Sequence, residues 1–557
     1  MPIHFIPNAA RVVMVLVVVL LPFASVPARA NPGSPVAQGI RDNVERLVQG
    51  VTSEIDGVPV AAMDLIASIY EAREFQPLWT KSSDITDLLI EMERSAGEGL
   101  DPDDFHATRL LSMWSDLHKA RSPDPGALAD LDVLLTDGLA RLGYQLFWGK
   151  VAAERLDADW NFERRMPFAD PAATVIAAVE SSEVPELIDR VRLHDPTYEQ
   201  LKAALEEYRA LAVAVEWPQM PAGKLLKPKM SDPRVPLLRA RLGLPPAPEE
   251  VAEAYDSAVV MAVEGFQARH GLEADGILGE GTLAALNVSP VQRVEQIRAT
   301  LERARWVLRD LPDEFIVVNI AGFRTYLIRD REIVWESPSI VGQPYRKTPI
   351  FRDEMSYLVL NPTWTIPPGI FAKDILPRLR DDPSYLGKKG YQLYSADGSP
   401  VDPRTVDWQA VRGMPYRVVQ GPGAENALGR VKFMFPNKYF VYLHDTPSRG
   451  LFSRTGRALS SGCIRLENPL DLAERLLTPD PAWNRARMEK VIASGQTATV
   501  HLPRNVPVLL LYWTVDFDED GELIFYEDVY DRDPPLIRAL NSPFVPEPRA
   551  QAARPTN

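Results

Sequence analysis

Apolar positions change their spacing along the 557 residues, and the changes mark out the parts of the chain. From about 36 to 225 they recur every three to four residues, most clearly over 63–69, 85–92 and 131–147, which predicts amphipathic helices. Asp101-Pro-Asp-Asp predicts another helix start, with an acidic first turn and an early proline. A proline-rich passage, Trp217-Pro-Gln-Met-Pro221 with Lys227-Pro228, marks a boundary. Residues 231–288 then read as a compact unit of two amphipathic helices, a tight Asp275-Gly276 turn and a short third helix. A connecting helix over 291–310 is expected to return to the first helical unit, which makes 231–288 an insertion. From Phe315 the period becomes two, over 315–320, 324–328, 332–335, 357–360 and 439–443, so strands are predicted.

The expected architecture is therefore multidomain α+β: a helical scaffold (31–225), a small three-helix domain (231–288), the connecting helix, and a β-rich sandwich (315–503). Within the last, 381–425 is crowded with turn formers and reads as a mobile cap inserted before the final strands. Residues 504–557 are expected to give a hairpin and then a disordered tail beyond Pro534. Asp516-x-Asp518-x-Asp520-Gly521 with Glu527 spells a calcium-loop pattern. Its flanks read as strands rather than helices, so a hairpin turn is the better expectation and no metal is assigned.

Residues 1–30 have the form of a secretory signal: Arg11, a ten-residue apolar core over 12–21, and Ala28-Arg-Ala30 at the cleavage point. That core is too short to span a bilayer, so export to the periplasm is expected, with membrane contact only through an uncleaved signal. The formal charge of −15 argues against nucleic acid as a partner. Locally the balance reverses, with seven Lys/Arg between Arg430 and Arg465 against Asp445 alone, which suggests a basic rim for carboxylates. No His-Glu-x-x-His or Cys/His cluster points to zinc, and no cofactor is called for.

Cys463 is the only cysteine, so no intramolecular disulfide is available. It follows Ser460-Ser461-Gly462, and His444 lies nineteen positions upstream at the end of an apolar run. A lone cysteine is most often a small buried hydrophobe. In an exported chain a free thiol is a liability unless it works, and an imidazole can take its proton to make the nucleophile. Backbone N–H groups of Gly462 and Cys463 are the expected donors to an oxyanion.

The string His444 … Ser460-x-Gly462-Cys463-x-Arg465 resembles the signature of the L,D-transpeptidase (YkuD) family. Ser461 stands where many members carry a second histidine, which leaves His444 as the candidate base. Phe-Gln-x-x-His-Gly-Leu-x-x-Asp-Gly over 266–276 resembles a peptidoglycan-binding domain, and Phe75-Gln-Pro-Leu-Trp79 with Gly99-Leu-Asp-Pro102 resembles the scaffold domain of large Gram-negative members. The resemblance implies acyl transfer between peptidoglycan stem peptides: a Cys463 thioester, loss of D-alanine, and a 3→3 cross-link. Carbapenem-type inhibitors are implied as well. Supporting roles fall to Ser460, Ser461, Gly462, Arg465 and Asp445, whose carbonyl is placed to orient the imidazole. Transfer to water, as in a carboxypeptidase or endopeptidase, and plain wall binding without catalysis are the alternatives.

Overall fold

The computed structural model describes residues 34–158, 160–162, 167–214, 216–478 and 480–544. The signal-like segment and the last thirteen residues lie outside this set. No described helix is long and apolar enough to cross a membrane.

In the N-terminal unit, helices Pro35–Val48, Met63–Ala72, Ser82–Arg94 and Ala107–Lys119 surround Pro125–Trp148, which is buried on nearly every side. Such burial leaves its polar residues to be matched from other segments. Asp132 accepts from the Leu78 and Trp79 N–H groups at 2.9 and 3.0 Å and from the Tyr70 hydroxyl at 2.6 Å. Asp137 accepts from the Ala61 and Ala62 N–H groups, both at 2.8 Å, and pairs with His106 and Arg141. The helix expected at Asp101 is instead a single tight turn, Pro102–Phe105. His106 breaks it at φ 67°, and its ring is held 3.0 Å from the Asp137 carboxylate. A short hairpin, β1 (Glu54–Ile55) and β2 (Val58–Pro59), completes the unit.

Helices Val235–Arg241, Ser257–Ala268 and Glu280–Leu286 form the small domain around Tyr255, Val259 and Val263. Its turn is organised by Gln267. That amide donates to Asp275, Ile277 O and Thr282, at 2.9, 3.0 and 3.0 Å, and accepts from Gly276 N–H at 2.9 Å. The following helix, Pro290–Val307, opens with a Ser289/Gln292 capping box and packs on Pro196–Ala214 of the first unit. The small domain is thus inserted between two helices that share a core of Tyr198, Leu201, Ile297 and Leu301.

The β-rich domain is one sheet curled on itself. Its strands are β3 (Glu314–Asn319), β4 (Arg324–Arg329), β5 (Glu332–Gly342), β6 (Phe351–Leu360), β11 (Val431–Met434), β12 (Leu443–His444), β13 (Ala458–Ser460), β14 (Ile464–Leu466) and β15 (Ala498–Leu511). The order is β13-β5-β14-β12-β11-β6-β15-β3-β4, and β4 also pairs with β5, which closes the sheet around its core. A domain end at 503 would cut β15, whose second half runs parallel to β3 from Val508↔Ile316 to Leu511↔Asn319. The ladder is irregular between His501 and Val506, where Pro503 lies, and resumes beyond it with Pro507 opposite Glu354.

The cap is a folded module that begins at Trp364 rather than 381. Its sheet orders β7 (Trp364–Thr365), β10 (Arg417–Gln420), β8 (Tyr391–Tyr394) and β9 (Pro400–Val401). It has its own core, including Phe371, Leu379, Trp408 and Val418. Its strands are too short to show a period through the turns. Residues 516–527 form the expected hairpin, β16 (Val515–Phe517) with β17 (Leu523–Phe525). Disorder beyond Pro534 does not hold for the next residues. Helix Asp533–Leu540 buries Leu536 and Leu540, and Asp533 pairs with Arg303 at 2.5 Å. A buried ion pair to a distant helix leaves no trace in a Pro/Ala/Arg-rich composition.

Candidate active site

Register brings the candidate residues together. β12 runs parallel to β14 with His444 opposite Arg465, and antiparallel to β11 with His444 opposite Lys432. Side chains two apart on a strand share a face. Pairing continues just before both strands, where Ile464 N–H donates to Tyr442 O at 3.1 Å, so Tyr442 and His444 lie on the same side as Cys463 and Arg465 on one flank and Lys432 on the other. The imidazole is buried, and its Nδ1 lies 2.5 Å from the Asp445 carbonyl oxygen. A carbonyl only accepts, so Nδ1 carries the proton and Nε2 is left as the basic nitrogen.

Burial, with Arg465 and Lys432 on either side, pushes the His444 pKa down to about 3. Burial also raises the Cys463 thiol, while the Tyr442 N–H and hydroxyl, Lys432 and Arg465 pull the other way. The resting pair is thus a neutral thiol and a neutral imidazole. Two cations already beside the ring disfavour an imidazolium, so proton transfer belongs with the attack rather than before it.

The nucleophile loop is shaped by exclusion and by hydrogen bonds. Gly462 has φ 119°, a conformation that favours glycine. At Gly342, an added Cβ would lie 2.1 Å from Arg346 O and 3.1 Å from Gly462 Cα. The tight contact is clamped by Thr348, whose hydroxyl donates to Gly462 O and accepts from Gly342 N–H, both at 2.9 Å. Behind it, the Tyr530 hydroxyl donates to Gly342 O at 2.5 Å and accepts from Thr348 N–H at 3.2 Å. The C-terminal segment therefore braces the loop that carries the thiol.

Ser460 works within this loop. Its hydroxyl donates to Cys463 O at 2.6 Å and accepts from Gly462 N–H at 3.0 Å. That corrects the expected pair of oxyanion donors, because Gly462 N–H is already engaged; Cys463 N–H is the other candidate. Ser461 is exposed and accepts from Arg346 at 2.8 Å, and Arg346 also holds Asp374 of the cap at 2.7 and 3.0 Å. Asp445 is buried, with its carboxylate held by Arg430 at 3.0 Å and Arg449 at 2.5 Å. Arg465 has a buried Nε with no hydrogen-bond partner among the described residues.

The expected basic rim is largely dispersed. Arg430 and Arg449 serve Asp445, Arg457 donates to Phe323 O and Ser339 O, and Lys432 lies 3.8 Å above the Tyr442 ring. Sequence reasoning missed Tyr442, whose place two residues before His444 on a strand was the available signal. It also missed Trp364, at the root of the cap, whose side chain lies close enough to Tyr442 to influence its hydroxyl. Phe440 was missed too. It is 82% exposed at φ 55°, and its carbonyl is 3.8 Å from the Cys463 sulfur.

Comparison with known proteins gives three domain matches. Residues 313–492 match the L,D-transpeptidase catalytic domain (YkuD), 64–205 a scaffold domain, and 240–286 a "Putative peptidoglycan binding domain". A curated relative from Haemophilus influenzae, named "Putative L,D-transpeptidase", is 37% identical over 247 residues. The match takes in 44% of this chain, which spans about half (50%) of that relative's length. Among solved structures, an L,D-transpeptidase from Mycobacterium smegmatis is 12% identical with a TM-score of 0.17, covering 36% of this chain and 58% of its own. One from Stackebrandtia nassauensis is 11% identical with a TM-score of 0.20, covering 53% and 96%. Similarity that slight carries no weight beside the domain matches. Residues 313–492 belong to the YkuD family of L,D-transpeptidase catalytic domains, joined in this chain to a scaffold domain and a peptidoglycan-binding domain.

Proposed function

We propose that the chain is an exported cysteine L,D-transpeptidase that forms 3→3 cross-links between peptidoglycan stem peptides. The observation that carries this reading is the pairing of β12 with β14, which sets an Nδ1-protonated His444 opposite Arg465, two positions after Cys463. His444 Nε2 takes the thiol proton as Sγ attacks the carbonyl of the third residue of a tetrapeptide donor. Cys463 N–H donates to the oxyanion, and Tyr442 donates to the sulfur. Collapse breaks the peptide bond, and His444 returns the proton to the departing D-alanine amine. The side-chain amine of a second stem then attacks the thioester, gives a proton to His444 and releases the thiolate, which regains its proton from the ring. The neighbouring binding domain supports a wall substrate by raising local concentration.

Incubation with sacculi, followed by muropeptide analysis, tests the reading. Cross-linked dimers with free D-alanine are expected, and none from Cys463→Ala, which should also lose the mass increase produced by a carbapenem. Stems shortened without dimers would transfer the assignment to a carboxypeptidase or endopeptidase. Binding with neither product would leave a wall-binding protein.

A further inference from the structure

The carbonyl that orients His444 belongs to a residue whose side chain is anchored separately. Asp445 N–H donates to Val431 O at 2.9 Å, which carries the pairing with β11 one residue past His444. The Asp445 carboxylate is buried and meets three donors. One oxygen accepts from Arg430 N–H at 2.8 Å and from Arg430 Nε at 3.0 Å, the other from Arg449 Nη2 at 2.5 Å. Gly429 leaves room for it: at φ 60°, a Cβ there would lie 2.5 Å from Asp445 Cβ.

Arg449 reaches further than this carboxylate. Its Nη1 donates to the carbonyl of Glu467, the residue that follows β14. Glu467 N–H in turn donates to Pro338 O of β5 at 3.1 Å. One guanidinium therefore links the residue after His444 to the far end of the strand that starts directly after Cys463. β12 and β14 share two paired positions, Leu443↔Ile464 and His444↔Arg465, so this tie extends a short ladder.

We propose that Arg449 is a positioning residue: by tying the Asp445 carboxylate to Glu467 O, it holds the Asp445 carbonyl on His444 Nδ1 and keeps Nε2 free to take the thiol proton. The inference rests on the reading of Cys463 as nucleophile and His444 as base. Geometry, rather than charge, carries the effect. The cations that bear on the ring are Arg465 and Lys432, whereas the Asp445 carboxylate is taken up by its own two arginines. Rotation of the Asp445 peptide would withdraw the acceptor from Nδ1, and a neutral imidazole without that acceptor can exchange tautomers. The other tautomer carries its proton on Nε2 and cannot accept one from the thiol.

Carbapenem acylation of Cys463 in the full chain, followed by mass over hours, tests this in a double-variant cycle with His444→Ala. The Arg449 side chain is 40% exposed, so Arg449→Ala empties no core. That variant should acylate roughly ten- to a hundredfold more slowly, the scale of loss when a reacting group is misplaced. In the His444→Ala chain the same change should cost nothing more. Asp445→Asn, which keeps the shape but weakens the tie to both arginines, should slow acylation in the same way. Ring-nitrogen NMR of isotope-labelled histidine, with His444→Ala to assign the signal, should find Nδ1 protonated in the unaltered chain and mixed tautomers in Arg449→Ala. An unchanged rate in Arg449→Ala, equal slowing with and without His444, or one tautomer in both chains would overturn the positioning role and leave the transpeptidase reading standing. Normal acylation by His444→Ala itself would instead remove the base assignment, and the role of Arg449 with it.

Discussion

At the scale of single residues, the thiol and the imidazole are both held neutral, and this fixes the form of the pH profile. With His444 lowered to about 3 and the thiol raised by burial, acylation of the unaltered chain should be nearly flat between roughly pH 5 and 8. The base is already deprotonated at the acid end, and the thiol still holds its proton at the alkaline end. His444→Ala should slow acylation by roughly 10²–10⁴-fold at neutral pH, the usual worth of a positioned base. That variant depends on pre-formed thiolate, so its rate should climb about tenfold per pH unit. Stopped-flow measurement of carbapenem acylation across the range checks both. A loss of rate in the unaltered chain as pH falls through about 6.5 would mean the ring titrates like a free histidine.

At the scale of elements, the cap is tied to the nucleophile loop through Arg346. Asp374 holds Arg346, which holds Ser461. Closure of this folded module over a thioester would exclude water. Arg346 is mostly covered but Asp374 is 42% exposed, so the ion pair is worth at most about 1 kcal/mol. Arg346→Ala should therefore raise hydrogen exchange across 364–425 by no more than about fivefold. It should also reduce the protection gained when Cys463 is acylated. Unaltered exchange in both states would show that the two parts move independently.

For the whole molecule, the chain's ends and middle share cores. The hairpin residues Val515 and Phe525 pack with Tyr198 and Leu301, and Tyr530 supports the loop beneath Gly462. Lys150 donates to Leu540 O at 2.8 Å, and Arg303 pairs with Asp533. Truncation after residue 503 removes half of β15 and all of these contacts. The shortened chain should lose its cooperative thermal transition, read by circular dichroism, and Cys463 should fail to acylate. A sharp transition with normal acylation would show that the β-rich domain ends before β15 does.

What the sequence determined by itself was whatever local rules govern. The 3.6 and 2 periods placed the long helices and strands β3 to β6, because each had one face to bury; the run expected over 439–443 is a strand only from Leu443. The motif around Gln267 was legible because one side chain must hold an entire turn, which constrains Asp275, Gly276 and Thr282 together. His444 and Cys463 stood out as a reactive pair of scarce residue types. Only the tertiary structure decided their surroundings. Lys432 and Arg465 flank the ring because β11 and β14 pair on either side of β12, a register with no signature in linear spacing. Gly462 N–H is spent on Ser460, and Tyr530 reaches the nucleophile loop across 182 positions from Thr348. The cap's core and the ordered helix at 533–540 depend on burial against distant segments, and that burial exists only once the chain has folded.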